Sequence, residues 1–286
     1  MSDPMTGVLL ATDLGPRCDR ATDRARALAE SFGGRAIAVT VVEPAEVRAQ
    51  DVPKHATPSW YRQLTPHALA ERELHREFDA AGVPWDVRVL DGKAGDHLAA
   101  ILDAEGDALV VAGPVRQGVI GPAVLGSTVD RLLRRPATSL LTVRRRAHGG
   151  YRHLLVASDF SNPCMDALRR ARTLFPEAKI TVLHGFEVPL LGMMDTSKDQ
   201  AVAQTAAQLR QEGRAFLREA GCGDDVALVV EHGDPARLAQ QYIETHDADL
   251  VVLGTHGRGA VFELIVGSVA RRILTTVDAD TLVVRG

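Results

Sequence analysis

The chain has 286 residues, long enough for two domains of ordinary size, and its 45% apolar and 24% charged residues match a globular fold that buries a sizeable core. A formal charge of −4 argues against a nucleic-acid surface, and no apolar run reaches the length of a membrane span. Cys18, Cys164 and Cys222 form neither a CxxC pair nor a dense disulfide framework, and the histidines are scattered without ligand spacing. The N-terminus, Met1-Ser-Asp-Pro, lacks the basic and apolar regions of a secretory leader. The expected setting is therefore a reducing cytoplasm, with no structural metal.

Taken in chain order, the pattern runs twice. Residues 7–12 form a short apolar run rich in Val and Leu, as in a strand buried on both faces, and end at Asp13. A helix is expected from Cys18 to Phe32, a strand over 36–42, an irregular segment over 44–61 and a long helix over 62–81 ended by Gly82. Strands over 84–90 and 107–112 enclose a helix over 95–105. A further helix starts near Ser127, and the last strand covers 139–144. The second pass repeats these elements: strand 153–158 ending at Asp159, helix 164–175 with Pro163 at a first helical position, strand 179–186, helix 198–220, strand 226–231, helix 235–246, strand 248–253, a helix from Ser268 and strand 281–284.

The repeat is in register. Val8-Leu-Leu-Ala-Thr-Asp13 matches Leu154-Leu-Val-Ala-Ser-Asp159 at an offset of 146, whereas Gly92/Gly233, Gly113/Gly254 and Gly126-Ser127/Gly267-Ser268 all match at 141. Alternating strands and helices imply parallel strands joined by right-handed crossovers. The expected fold class is α/β: two tandem doubly wound, Rossmann-like domains, each a five-stranded parallel sheet flanked by helices. The boundary is expected at Ala147-His-Gly-Gly150, which gives domains over 1–147 and 151–286. Arg144-Arg145-Arg146 reads as a solvated domain edge.

The most informative stretch is the strand Asp249-Leu-Val-Val-Leu253, followed by Gly254-Thr-His-Gly257, nine residues, and Gly267-Ser268 at a helix start. Glycines bring backbone close to a ligand, and a helix N-terminus offers free N–H groups and a favourable dipole to an anion. The pattern resembles the nucleotide-binding motif of the universal stress protein family. That resemblance implies that Asp159 contacts the adenosine portion of a nucleotide and that Ala157, Ser158 and Gly185 surround the adenine. Gly254, Gly257, Gly267 and Ser268 would serve phosphate and ribose, with Leu253 also at the nucleotide, Val269 and Ala270 continuing the helix start and His256 and Arg258 reaching toward phosphate. It also implies that the last strands pair, Leu140–Val143 against Leu282–Val284, as a covalent pseudo-dimer, and it admits a homodimer of such chains.

The residues themselves leave alternatives. Glycines after a strand also serve tight turns, and Asp159 fits a helix cap. In the first half Arg116 stands where the second half has Gly257, and Pro114 follows Gly113, so the first motif reads as degenerate. Arg116 either occupies the phosphate position or faces solvent. Cys18 and Cys164, each five residues after the strand-end Asp, read chiefly as small packing residues, with a helix-activated thiol as the lesser reading. His184 and His232 read as core or crevice residues. Leu190-Leu191 and Met193-Met194 suggest a lid or a partner surface.

No catalytic constellation and no P-loop lysine is present, so catalytic residues are expected to be none. The resemblance implies a stress-response or signalling module that binds ATP or a related adenine nucleotide, with or without magnesium, in its second half. A scaffold for an apolar ligand or protein partner, or a slow ATPase, are the competing readings.

Overall fold

The computed structural model describes residues 7–42, 60, 64–79, 82–114, 131–132, 138–188, 198–255 and 267–285. The first half supplies β1 (Gly7–Ala11), α1 (Asp19–Phe32), β2 (Ala36–Val42), α2 (Pro66–Phe78), β3 (Trp85–Asp91), α3 (Ala94–Glu105), β4 (Ala108–Ala112) and β5 (Ser139–Thr142). The second supplies β6 (His153–Ala157), α4 (Asn162–Leu174), β7 (Lys179–Phe186), α5 (Lys198–Glu219), β8 (Val226–His232), α6 (Pro235–His246), β9 (Leu250–Gly254), α7 (Ser268–Thr276) and β10 (Asp280–Val284). The helices expected near Ser127 and the Met193-Met194 segment lie outside the described residues.

The ten strands among the described residues join one sheet in the order β3-β2-β1-β4-β5-β10-β9-β6-β7-β8. Every pairing within a half is parallel. The halves meet at one antiparallel seam, Leu141 opposite Leu282 and Leu140 opposite Val283, as the resemblance implies. The central strands carry almost unbroken Leu and Val because both faces are covered. Leu10, Val156 and Leu282 face a core packed by α1, α2, α4 and α5, whereas Leu9, Leu155 and Val283 face one packed by α3, α6 and α7.

Strand register locates the length difference between the repeats. Val8 pairs with Ala36 as Leu154 pairs with Ile180, and Ala36 with Trp85 as Ile180 with Val226. The offset therefore steps from 146 to 144 across the first crossover and to 141 across the second. The five-residue difference is thus divided between two crossovers, both before the third strand.

The seam corrects one expectation. Arg144 and Arg145 do not mark a solvated edge. Their backbone N–H groups both donate to Oδ1 of the fully buried Asp280, at 2.7 and 2.9 Å, and the Arg144 guanidinium donates to the Leu274 carbonyl at 2.8 Å. The carboxylate diverts the chain after Thr142, so β5 ends sooner than the apolar pattern suggests. Tyr151 donates its hydroxyl to Asp280 Oδ2 at 2.6 Å, and the buried Arg24 of α1 stands 3.6 Å from the same oxygen, with its guanidinium 4.2 Å from the Tyr151 ring centre. Arg24 also donates to the Gly149 carbonyl at 2.7 Å, which ties the linker down. Its repeat mate, Arg170 of α4, reaches the first half in the same way, donating to Ser139 Oγ at 3.2 Å and pairing with Asp107 at 2.5 Å. Each half thus extends an arginine from its first helix to the other half.

At the start of β6, His153 is buried. Its Nδ1 donates to the His246 carbonyl at 3.1 Å, and its Nε2 lies 3.0 Å from the Thr181 hydroxyl, which in turn meets Tyr242. Burial pushes the His153 pKa down, assisted by the charge of Lys179 and opposed by the His246 carbonyl and Asp249. A depressed imidazole pKa means that the unfolded chain binds more protons, so this contribution is complete above the unfolded value of about 6.5 and is lost as pH falls below it. Thermal melts from pH 7.5 to 5 should show a steeper loss of stability for the native chain than for His153→Gln. Parallel curves would assign the acid sensitivity elsewhere.

Candidate functional site

The second half has its change of strand order at β6, which has β7 on one side and β9 on the other. The chain winds outward from β6 to β7 and β8, then returns to β9, so helices leave the carboxyl ends of β6 and β9 on opposite faces and open a crevice between them. Ligands in doubly wound sheets occupy this position. Ala157 and Leu253 are register partners on the two strands, and Asp159 and Gly254 follow at their carboxyl ends. The topology therefore brings Ala157, Ser158, Asp159, Leu253 and Gly254 to one strand-end region.

Local hydrogen bonds hold the turn after β6. Ser158 N–H continues the ladder to the Leu183 carbonyl at 2.9 Å, and Ser158 Oγ accepts from Phe160 N–H at 3.0 Å. Asp159 Oδ1 accepts from Ser161 N–H at 3.1 Å and from the Cys164 thiol at 3.3 Å. Asp159 is thus a turn former ahead of the helix, and Ser161 holds the cap position. Phe160 adopts φ 61°, a left-handed conformation matched by Leu14 at φ 56° in the first half. Its ring stacks on His184 at 4.6 Å, and His184 Nδ1 donates to the Ser158 carbonyl at 2.7 Å. In the first half the Thr40 hydroxyl makes the corresponding bond to the Thr12 carbonyl, at 2.8 Å. The Phe160–His184 pair belongs to this turn and escaped the residue-type reading, although the shared offset of Leu14 and Phe160 marked the position. His232 is exposed at the carboxyl end of β8, outside the core.

Two glycines admit close packing of a helix start. A Cβ on Gly254 would lie 2.7 Å from the Pro163 carbonyl oxygen and 3.0 Å from the Cys164 nitrogen, so the bare backbone lets α4 begin directly against β9. A Cβ on Gly185 would meet Pro235 Cα at 2.9 Å, so that glycine admits the start of α6. Burial raises the pKa of both Cys18 and Cys164, and the charge of Asp159 raises Cys164 further.

Beyond β9, the Thr255 N–H donates to the Val284 carbonyl at 3.2 Å, and its carbonyl accepts from Gly267 N–H at 2.9 Å. This bond sets the start of α7 beside the end of β9. Gly267 is the cap residue with no side-chain cap bond, no acidic residue lies in the first turn, and Ser268 and Val269 are exposed. By contrast, α6 begins with Asp234 accepting from Arg237 N–H at 2.9 Å. Arg271 and Arg272 follow closely at α7, where cations oppose the dipole, and Arg272 pairs with Asp234. The start of α7 is therefore an electropositive terminus. His256, Gly257 and Arg258, and Arg116 and Gly126-Ser127 of the first half, lie outside the described residues.

A family model described as the universal stress protein family matches residues 5–144 and again 150–285. A universal stress protein of Mycolicibacterium smegmatis is 27% identical over 205 residues, covering 65% of this chain, and this chain spans 64% of that relative's length. A universal stress protein of Methanocaldococcus jannaschii is 23% identical over 154 residues, covering 51% of this chain and 89% of its own length. Two solved structures share the whole architecture. A universal stress protein of Archaeoglobus fulgidus has TM-score 0.64 at 17% identity, covering 99% of both chains. A protein of Pseudomonas aeruginosa, described as a putative universal stress protein, has TM-score 0.66 at 19% identity, covering 99% of this chain and 94% of its own.

Proposed function

The chain belongs to the universal stress protein family, in two tandem copies, and from that premise we propose that its second half is an adenine-nucleotide-responsive module. The units are residues 1–147 and 151–286, and the nucleotide is ATP or a close relative, with or without magnesium. The observation that carries the reading is the change of strand order at β6, with Asp159 on one strand end and the start of α7, whose first turn holds no acidic residue, close beside the other. Ala157, Ser158 and the Asp159 turn would hold the adenosine end, and Gly267, Ser268, Val269 and Ala270 the phosphates, with His256, Gly257 and Arg258 between them. Gly254 and Gly185 would support the pocket by letting α4 and α6 approach, rather than by touching the ligand. A few charge-assisted hydrogen bonds of about 1.5–3 kcal/mol each, with adenine burial, reach the roughly −8 kcal/mol of a micromolar complex.

The first half departs from this pattern at Arg116, in the position of Gly257. We assign it a scaffolding part with weakened or lost nucleotide binding. No catalytic group is assigned, and occupancy, not turnover, is the proposed output of a cytoplasmic stress-response module.

Calorimetry with ATP on the full chain should show one site of roughly micromolar affinity. Gly257→Arg, which copies the first half, should abolish it, and circular dichroism would confirm that the fold survives. Two equal sites would overturn the assignment of Arg116. No heat from the native chain, with ATP alone or with magnesium, would overturn nucleotide binding itself.

A further inference from the structure

The outer edge of the second half carries a groove of about 500 Å³ between α5 and β8, near the amino end of β8 and so remote from the crevice. One wall is Arg210, Arg214 and Arg218, spaced four residues apart along one face of α5, and the floor is apolar, formed by Leu217, Val226 and Leu228. Three other arginines of this half have carboxylate partners: Arg170 has Asp107, Arg172 has Asp225 and Arg272 has Asp234. The three groove arginines are exposed and have none among the described residues. Asp224 at the far end is the groove's single acidic lining residue.

The repeat provides an internal control. The same fold in the first half does without this ladder: α2 carries Glu73, paired with Arg76, and Glu77, paired with Arg26. The basic row is therefore not something the architecture requires. Below it runs β8, an outermost strand of the sheet, with no neighbour beyond it among the described residues. Residues four apart on a helix rise by about 6 Å, and alternate residues of an extended strand repeat at about 6.7 Å. An extended segment lying along β8 would thus present one side chain to each arginine in turn and the backbone to the strand edge.

We propose that this groove binds an extended acidic segment of a partner protein, with Asp or Glu at alternate positions facing Arg210, Arg214 and Arg218 and the main chain added to β8 as a further strand. Strand addition supplies affinity through main-chain hydrogen bonds, and the arginine row selects charge and register. The proposal does not depend on the nucleotide site.

The test is fluorescence anisotropy on the full chain with a labelled nine-residue peptide alternating Asp and Val. Binding is expected and should weaken by at least about tenfold in the triple variant Arg210→Gln, Arg214→Gln, Arg218→Gln, and with rising salt. The same peptide methylated on alternate backbone nitrogens should bind at least about fivefold more weakly, because the strand bonds are lost. Equal binding of a Lys–Val peptide, an unaffected triple variant or an unaffected methylated peptide would each overturn the proposal, as would full displacement by equimolar tripolyphosphate, which would mark a simple anion site. ATP titration of the triple variant should match the native chain.

Discussion

Replacing Asp280 with Ala should destabilise the chain by about 3–5 kcal/mol in urea denaturation, because it removes the acceptor of a buried, charged cluster and strands its donors. The carboxylate is fully buried and serves two backbone N–H groups, the Tyr151 hydroxyl and the Arg24 guanidinium, drawn from both halves. Removing Tyr151 Oη by Tyr151→Phe deletes one bond of the set and should cost about 1–2 kcal/mol. The phenol stays protonated as a donor, since burial and the adjacent Asp280 raise its pKa well above the ordinary value. Asp280→Asn tests charge alone: the amide preserves a hydrogen-bonding shape but leaves Arg24 buried without an anion. Combining it with Arg24→Met should recover part of the loss, the signature of direct coupling. A loss under about 1 kcal/mol for Asp280→Ala would show that apolar pairing of β5 and β10 holds the seam unaided.

Gly254→Val should be the most damaging single change at the crevice. The added Cβ would fall 2.7 Å from the Pro163 carbonyl oxygen, a backbone atom at the start of a helix, so strand and helix must separate. Overpacking of this kind costs about 1–3 kcal/mol. Because Asp159 is tied to Ser161 and Cys164 of the displaced segment, loss of nucleotide binding is expected at temperatures where the chain remains folded. The equivalent Gly113→Val is a built-in comparison: its nearest contact, the Arg17 carbonyl oxygen, is at 3.1 Å, so a smaller loss of stability and no loss of binding are expected. If Gly254→Val binds ATP as the native chain does, the packing role assigned to Gly254 is wrong.

The architecture was legible because its strands are buried on both faces and its repeat is internally consistent. Runs such as Leu154–Ala157 and Leu250–Leu253 have few solutions other than central parallel strands, and the repeated Asp, Gly and Gly-Ser positions revealed the duplication. What stayed hidden was contact between residues far apart in sequence. Asp280 reads as a loop residue before an apolar run, and only its meeting with Arg24 and Tyr151 makes it structural. The helix starts packed against Gly254 and Gly185 were equally hidden, because residue type reveals that a backbone is approached closely, not what approaches it. The left-handed Phe160 carries no composition signal, since bulky residues rarely adopt that conformation.

The antiparallel seam between β5 and β10 has a consequence for inheritance. Two identical subunits joined through such a strand must carry each substitution on both sides, so any change tolerated in one crevice is imposed on the other. Joining them in a single polypeptide removes that symmetry: the partner is always present, at fixed ratio and whatever the dilution, and each side can drift alone. Ser139 opposite Asp280 in the repeat, the arginine row of α5 without a counterpart on α2, and Arg116 against Gly257 are departures that a symmetric pair could not hold separately.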